Sequence, residues 1–437
     1  MINPVCFCET ESYMLSDYPE ISNALPKFYD LVTVTDENFE FKFTGVAIAN
    51  NIPLVVFPKN FCIPDNEADI LECAADLIRV LMIYKSEPIH EATEMELLYG
   101  ESYYQNNQIS TAIQLIDDFR HYGYINREIG ILSPSHLGRI DWPATINKTI
   151  PFISHGKPAY FNTLMHHEKT DIKNAIYLIH RYIIFNCFIT WGWMYGESAR
   201  FPKEEPIRNV EDAIILLKRE LRETYANREI NTLKLMISYL QLISGTDKKR
   251  KADFLATRHY HFVWEAICGY MFFNQYNKLS SIIPQPVWET DGTPKRISQR
   301  PDIFSVSGSS LCIIDAKYYD IRNNLPGWSD VVKQLFYRHT LISTLNSRNT
   351  RKLLPNTNSV YNIFILPGSH SNPLEYIGRS LIKESPDLGI IMAFTIDQKK
   401  AMRTYAYRDD DLYRNHLVNL LVNRAINNEI YSNGQVH

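Results

Sequence analysis

The sequence predicts a multidomain α+β protein in three consecutive parts. A β-rich N-terminal module is expected over residues 1–95, a mostly helical middle domain over 96–246 with a β wing at about 125–161, and a C-terminal α/β domain over 247–437 whose mixed central sheet is flanked by helices. Three observations lead there. A chain of 437 residues exceeds what one hydrophobic core organises. Strand-type patterns gather at 39–57, 125–161 and 299–319, while helical spacing of apolar residues fills most of the remainder. A composition that is 45% hydrophobic, with no long low-complexity tract, supports folding along nearly the whole length.

In chain order, Phe39 to Phe57 reads as a β-hairpin, FEFKFTGVAIA and IPLVVF, turning at Asn50-Asn51, a residue type that tolerates positive φ. Glu67 to Tyr84 then carries Ile70, Leu71, Ala74, Leu77, Ile78 and Leu81 at helical spacing, with Asp65 as its expected cap. Glu94 to Tyr122 is expected to be helical and to stop at Gly123. The Gly/Pro-punctuated stretch 125–161, containing GRIDWPATI at Gly138 to Ile146, predicts two or three short strands. Three helices follow, Ile172 to Trp193, Val210 to Tyr225 and Ile230 to Ile243, and the run Lys248-Lys249-Arg250-Lys251 marks a linker to the last part. That part reads helix, three strands, helix, two strands, helix.

Composition excludes several classes of protein. A formal charge of −4 rules out a wholesale basic shell, so nucleic-acid contact must rest on local patches, of which Lys248–Lys251 and the group Arg348, Arg351, Lys352 are the candidates. Solvated loops account for either patch equally well. The seven cysteines are scattered, odd in number and without a CxxC pair, so neither a disulfide framework nor a zinc site is indicated. Met1 to Thr10 lacks a basic n-region and an apolar h-region, and a cytoplasmic location is expected. The most apolar stretch, Ala175 to Tyr195, is interrupted by His180, Arg181 and Asn186, which would be expensive in lipid, so a buried soluble helix is expected and no membrane. His166-His167-Glu168 looks like half a metal site but has no HExxH spacing and is discounted.

The segment Gln299 to Tyr319, QRPDIFSVSGSSLCIIDAKYY, carries the chemistry. A tight turn centred on Gly308-Ser309 would place Asp302 opposite Asp315 on the facing strand. Like charges there destabilise a sheet, and a divalent cation held by both carboxylates would compensate. Mg²⁺ suits such a site, being bound through one or two carboxylates, water and phosphate oxygens, and Mn²⁺ is expected to substitute. Lys317 projects from the same face because strand periodicity is two, which sets its ammonium beside a phosphate. Phe304, Val306, Leu311 and Ile313 share that face, so the charges extend an apolar surface where isolated charge would be costly. An edge hairpin with surface charges would look more polar. Upstream, Glu265 lies among apolar and aromatic residues on the helix Arg258 to Phe273; downstream, Gln334 and Tyr337 share one face of the helix Ser329 to His339. A snorkelling glutamate and core-capping polar residues are the plainer readings of these three.

The order helix with Glu265, Pro301-Asp302, Asp315-Ala316-Lys317, helix with Gln334 resembles the PD-(D/E)xK nuclease core over about the last 190 residues. Asp315 stands where many members of that group have Glu. Together with TGVAIANNIPLVVFPK at Thr44 to Lys59, GRIDWPATI, HFVWEAICGY and KQLFY, the chain resembles the LlaJI-type restriction endonuclease family, relatives of the McrC nuclease subunit. The resemblance implies a bacterial defence enzyme cutting double-stranded DNA, often with a separate McrB-like GTPase. No GxxxxGK[ST] loop occurs, so this chain is not that motor. Carried over, Asp302 and Asp315 become metal ligands, Lys317 the catalytic lysine, Glu265 an auxiliary acid and Gln334 a site-lining residue. DNA recognition is assigned to the region before residue 245, and a homodimer or larger assembly is expected because cutting both strands needs two sites or one used twice. A repair or junction-processing nuclease would share the same site residues, and a non-catalytic DNA-binding or scaffold protein would use the acidic pair structurally.

Overall fold

The computed structural model describes residues 4–22, 25, 28, 31–49, 52–86, 108–125, 128–134, 139–170, 174–195, 204–244, 254–289, 295–296, 300–319 and 325–433. It is a mixed α/β protein with several sheets, divided into two compact units. One comprises Gln108–Trp193 and Glu197–Arg250; the other comprises Ile2–Asn107, Met194–Gly196 and Lys251–His437. The basic run 248–251, the turn 50–51 and residues 94–107 lie outside the described residues, as do the side chains of His166, His167 and Glu168.

In the first unit the helices Gln108–Tyr122, Ala175–Trp191, Val210–Glu223 and Asn227–Ile243 pack around Ile113, Ile116, Ile183, Phe188, Trp191, Met236 and Leu240. Gly123, at φ 72°, ends the first of them as expected, its N–H donating to the Phe119 carbonyl at 2.7 Å. In Ala175–Trp191 Asn186 donates to the Tyr182 carbonyl at 3.0 Å, while His180 Nε2 is buried without a hydrogen-bond partner among the described residues. His180 is fully buried and its Nδ1 accepts from the Ile125 N–H at 3.0 Å, while Arg181 pairs with Glu204. Burial pushes the imidazole down to about 4, so it stays neutral. No helix among the described residues is long and apolar enough to cross a membrane. The expected wing contains strands Glu128–Pro134 and Arg139–Ile140, whose sheet is completed by Leu164–Thr170 beyond the expected bound, and a separate hairpin, Phe152–Ser154 with Lys157–Ala159. Only the start of GRIDWPATI is strand. From Trp142 it is helical, because Asp141 caps the Ala144 N–H at 2.8 Å and Pro143 sits in the first turn, where its missing donor is harmless.

The second unit contains two larger sheets. The N-terminal one runs in the order Val5–Cys8, Ile52–Phe57, Thr44–Ala49, Phe254–Thr257, parallel at the first pairing and antiparallel at the others. The strand expected over residues 39–49 is two strands. Asn38–Phe41 belongs to a small antiparallel sheet with Ser12–Met14 and Val32–Val34, and its aromatic rings join Phe7, Phe28 and Phe43 in one cluster. The helix Glu67–Lys85 is capped by Asn66, one residue later than expected, because it is the Asn66 side chain that reaches the Ala68 N–H. The contribution of Phe254–Thr257 puts the start of the C-terminal part into the N-terminal sheet, and Ile2–Asn107 and Lys251–His437 share one compact unit. Gly45 makes this pairing feasible: at φ 141°, a Cβ there would stand 2.4 Å from the Leu255 carbonyl oxygen and 2.5 Å from Ala256 Cα. Gly45→Ala should therefore cost on the order of 3 kcal/mol from backbone strain and overpacking. A urea-unfolding midpoint equal to that of the parent would show that the strand can shift.

The C-terminal sheet has the order Ile303–Ser307, Ser310–Ala316, Ser359–Gly368, Ile390–Asp397, Leu374–Leu381. It is mixed: antiparallel at both ends and parallel in the middle. Gly308, at φ 58°, makes the tight turn, and the register runs from Ser307 opposite Ser310 to Ile303 opposite Ile314. Helix Trp328–Thr344 packs on the face formed by Phe304, Leu311, Ile313, Phe364 and Leu366.

Candidate active site

Continuing the hairpin register by one pair sets Asp302 against Asp315. Asp302 Oδ2 accepts from the Ala316 N–H at 3.2 Å, and the Asp315 carboxyl stands near enough to raise its proton affinity. Asn274 fixes the approach from outside, donating to the Asp302 carbonyl at 2.9 Å and accepting from the Phe304 N–H at 3.1 Å. Burial, then the Asp315 partner, raises the Asp302 carboxyl far above the usual carboxylate range.

Lys317 lies two residues beyond Asp315, and its Nζ is 2.9 Å from Asp315 Oδ2 and 2.9 Å from Asp330 Oδ1. Burial alone would lower the ammonium's proton affinity, but the two carboxylates outweigh it and the net shift is upward. Asp330 moves the other way. Burial would raise it, yet the bond and charge of Lys317 hold it below its ordinary value.

Glu265 sits half-buried on the helix Tyr260–Met271, pushed up to about 7 by burial first and by the charge of Asp315 second. It therefore belongs to the same electrostatic neighbourhood. Gln334 is placed differently from a group facing substrate: it is fully buried, and its Nε2 donates to the Ile313 carbonyl at 2.7 Å, fastening the helix to the sheet. Tyr337, three residues on, lies nearer the charges; its phenol is raised by burial and then by Asp302. In the candidate basic group, Arg351 bridges the two ends of its own short helix, donating to the Thr357 carbonyl at 3.0 Å and to Asn346 Oδ1 at 2.8 Å.

Two residues at the site were not singled out from the sequence. Asp330 could have been noticed as one helical turn before Gln334. Glu9 carries no local signal at all. Almost fully buried, its Oε2 accepts from Thr44 Oγ1 and from the Tyr318 hydroxyl, both at 2.8 Å, while the Lys59 N–H donates to that hydroxyl at 2.6 Å. Asn60 adds a bond from its side chain to the Tyr319 carbonyl at 3.2 Å. Residues just beyond the N-terminal strands thus hold the Tyr318 side chain and the Tyr319 carbonyl, immediately after Lys317.

Among the described residues no group of three or more His, Cys, Asp or Glu side chains forms a metal cage. The donor set that does exist, Asp302 with Asp315, is all oxygen and carries an excess of negative charge that burial makes costly, which fits a hard divalent cation completed by water and substrate oxygens.

Comparison with known proteins agrees with the motif pattern. The family model described as LlaJI restriction endonuclease matches residues 43–383. A curated relative, the Type II restriction enzyme BsuMI component YdjA of Bacillus subtilis (strain 168), is 25% identical over 316 residues, covering 67% of this chain and 66% of the relative, so the chain spans about two thirds of that protein's length. Among solved structures, a half-complex of Thermococcus gammatolerans McrB AAA+ hexamers with bound McrC aligns at 14% identity and a TM-score of 0.39, covering 94% of this chain and 100% of the matched one. The McrBC complex of the same organism aligns at 13% identity and a TM-score of 0.24, covering 55% and 80%. Glu265, Asp302, Asp315, Lys317 and Gln334 all fall within the matched residues, and the chain belongs to the LlaJI restriction endonuclease family.

Proposed function

We propose that this chain is the Mg²⁺-dependent endonuclease of a bacterial restriction system, hydrolysing phosphodiester bonds in double-stranded DNA in defence against phage. The observation that supports it most is the juxtaposition of Asp302, Asp315 and Lys317 at one end of the hairpin, in a chain of a restriction endonuclease family. The five-stranded mixed sheet with helix Trp328–Thr344 on the site face is compatible with a PD-(D/E)xK core.

In this reading Asp302 and Asp315 hold the cation, which when bound supplies Lewis-acid charge beside the scissile phosphate. Lys317 offers its ammonium to the phosphoryl oxygens as negative charge builds on them in the transition state. Glu265, with its proton affinity brought near neutrality, serves as an auxiliary acid able to hold or release a proton. Gln334 contributes by anchoring the helix that carries Asp330 and Tyr337. The family resemblance adds a McrB-like GTPase as partner; the scattered cysteines fit a cytoplasmic location, and cutting both strands would take a homodimer or larger assembly. DNA recognition is assigned to the region before residue 245.

Methylated and unmethylated plasmid, incubated with the protein with and without Mg²⁺ and with a candidate GTPase, tests the proposal. Cleavage should appear with Mg²⁺ or Mn²⁺ and vanish in EDTA, because two carboxylates without a cation provide no electrophile. Cutting at full rate in excess chelator would remove the metal from the mechanism, and a failure to bind Mn²⁺ in a calorimetric titration would favour a structural role for the acidic pair.

A further inference from the structure

Lys317 is shared between two carboxylates from different elements. Asp315 lies on its own strand; Asp330 comes from the first turn of the helix Trp328–Thr344, and the contact distances are equal at 2.9 Å. The three side chains are only 17%, 13% and 15% exposed for Lys317, Asp315 and Asp330, so solvent screens the pairs weakly. Asp330 is itself held: its Oδ2 accepts from the Tyr319 hydroxyl at 3.1 Å, and Tyr319 is tied through its carbonyl to Asn60.

The two partners of the lysine are not equivalent. In the reading above, Asp315 must turn its charge to a divalent cation, which both withdraws that carboxylate from Lys317 and repels the ammonium. A lysine held by Asp315 alone would be released when it is needed. Asp330 is outside the Asp302–Asp315 pair and keeps its charge for the lysine. We infer that Asp330 is a positioning residue: it retains the Lys317 ammonium beside the scissile phosphate while Asp315 is engaged by the cation. This rests on the nuclease reading.

The test uses the full chain, with Mn²⁺ binding followed by calorimetry, cleavage by single-turnover assay, and folding by unfolding midpoint. In Asp330→Asn, Lys317 is left with Asp315 only and competes with the ion, so Mn²⁺ should bind about tenfold more weakly and cleavage should fall at least as much. Asp330→Glu should restore part of both. The decisive arm is the double variant: with Lys317→Ala in place, Asp330→Asn should no longer weaken Mn²⁺ binding, because the competitor has gone. A merely structural Asp330 would lower the midpoint and weaken the ion equally in both backgrounds, which would overturn the inference. If Asp330→Asn does not fold, Tyr319→Phe, which removes the hydroxyl holding Asp330, is read in the same way. Lys317→Ala cutting at the parent rate would instead sink the nuclease reading, a result distinct from an idle Asp330 in an enzyme that Lys317→Ala inactivates.

Discussion

Replacing Asp302 or Asp315 by Asn, or Lys317 by Ala, should reduce DNA cleavage by about a thousandfold or more, the scale on which removal of a principal electrostatic stabiliser acts. The three should differ in everything else. Either Asn variant keeps the size of the side chain but loses the charge that binds a cation, so Mn²⁺ affinity should collapse with activity. Folding should persist or improve. Asp302 has a folded-state proton affinity raised above its unfolded value, so in the unfolded chain it ionises first as pH rises. The native state is then progressively disfavoured between the ordinary carboxylate range and the raised one, and Asp302→Asn removes that loss at neutral pH. Lys317→Ala should still bind Mn²⁺, since the lysine serves the phosphate. DNA affinity should largely survive in all three if recognition lies before residue 245. A gel-shift assay beside a cleavage assay decides: variants that cut near the parent rate, or that do not fold, would make these residues structural.

Residues 251–437 expressed without the N-terminal part should not give a cooperatively folded domain. Helix Glu67–Lys85 packs against Gln398–Tyr407 and Tyr260–Met271, whose Val263, Trp264, Ile267, Met402 and Tyr405 are at most 1% exposed. Losing cover for several such side chains, at about 1.5–3 kcal/mol each, approaches the whole 5–15 kcal/mol of a typical domain. The strand Phe254–Thr257 would lose its partner, and Tyr318 would lose Glu9. Adding back residues 2–107 on a second chain should restore a sharp thermal transition. A fragment that melts cooperatively alone and cuts DNA would show that the last part is autonomous.

Much of the local architecture was legible because it is set by near neighbours. A tight turn at Gly308 leaves one register for the hairpin, so the opposition of Asp302 and Asp315 and the shared face of Phe304, Leu311 and Ile313 could be read from spacing alone. The helices Glu67–Lys85 and Val210–Glu223 begin where 3.6-residue periodicity places them, and the one expected from Ile230 begins three residues earlier, at Asn227. Departures are small where a competing local interaction decides: the Asn66 cap, and the Asp141–Pro143 helix start inside a stretch for which only short strands were expected. What the sequence by itself determined is thus several of the longer helices, the hairpin and the chemical character of its charged end. Only the tertiary structure decided that Phe254–Thr257 completes the N-terminal sheet, that Glu9 grips Tyr318, that Gln334 turns to the Ile313 carbonyl, and that Lys317 has Asp330 as a second partner. These contacts join residues far apart in the chain, and no periodicity or turn preference records which distant element a side chain will meet once the core closes.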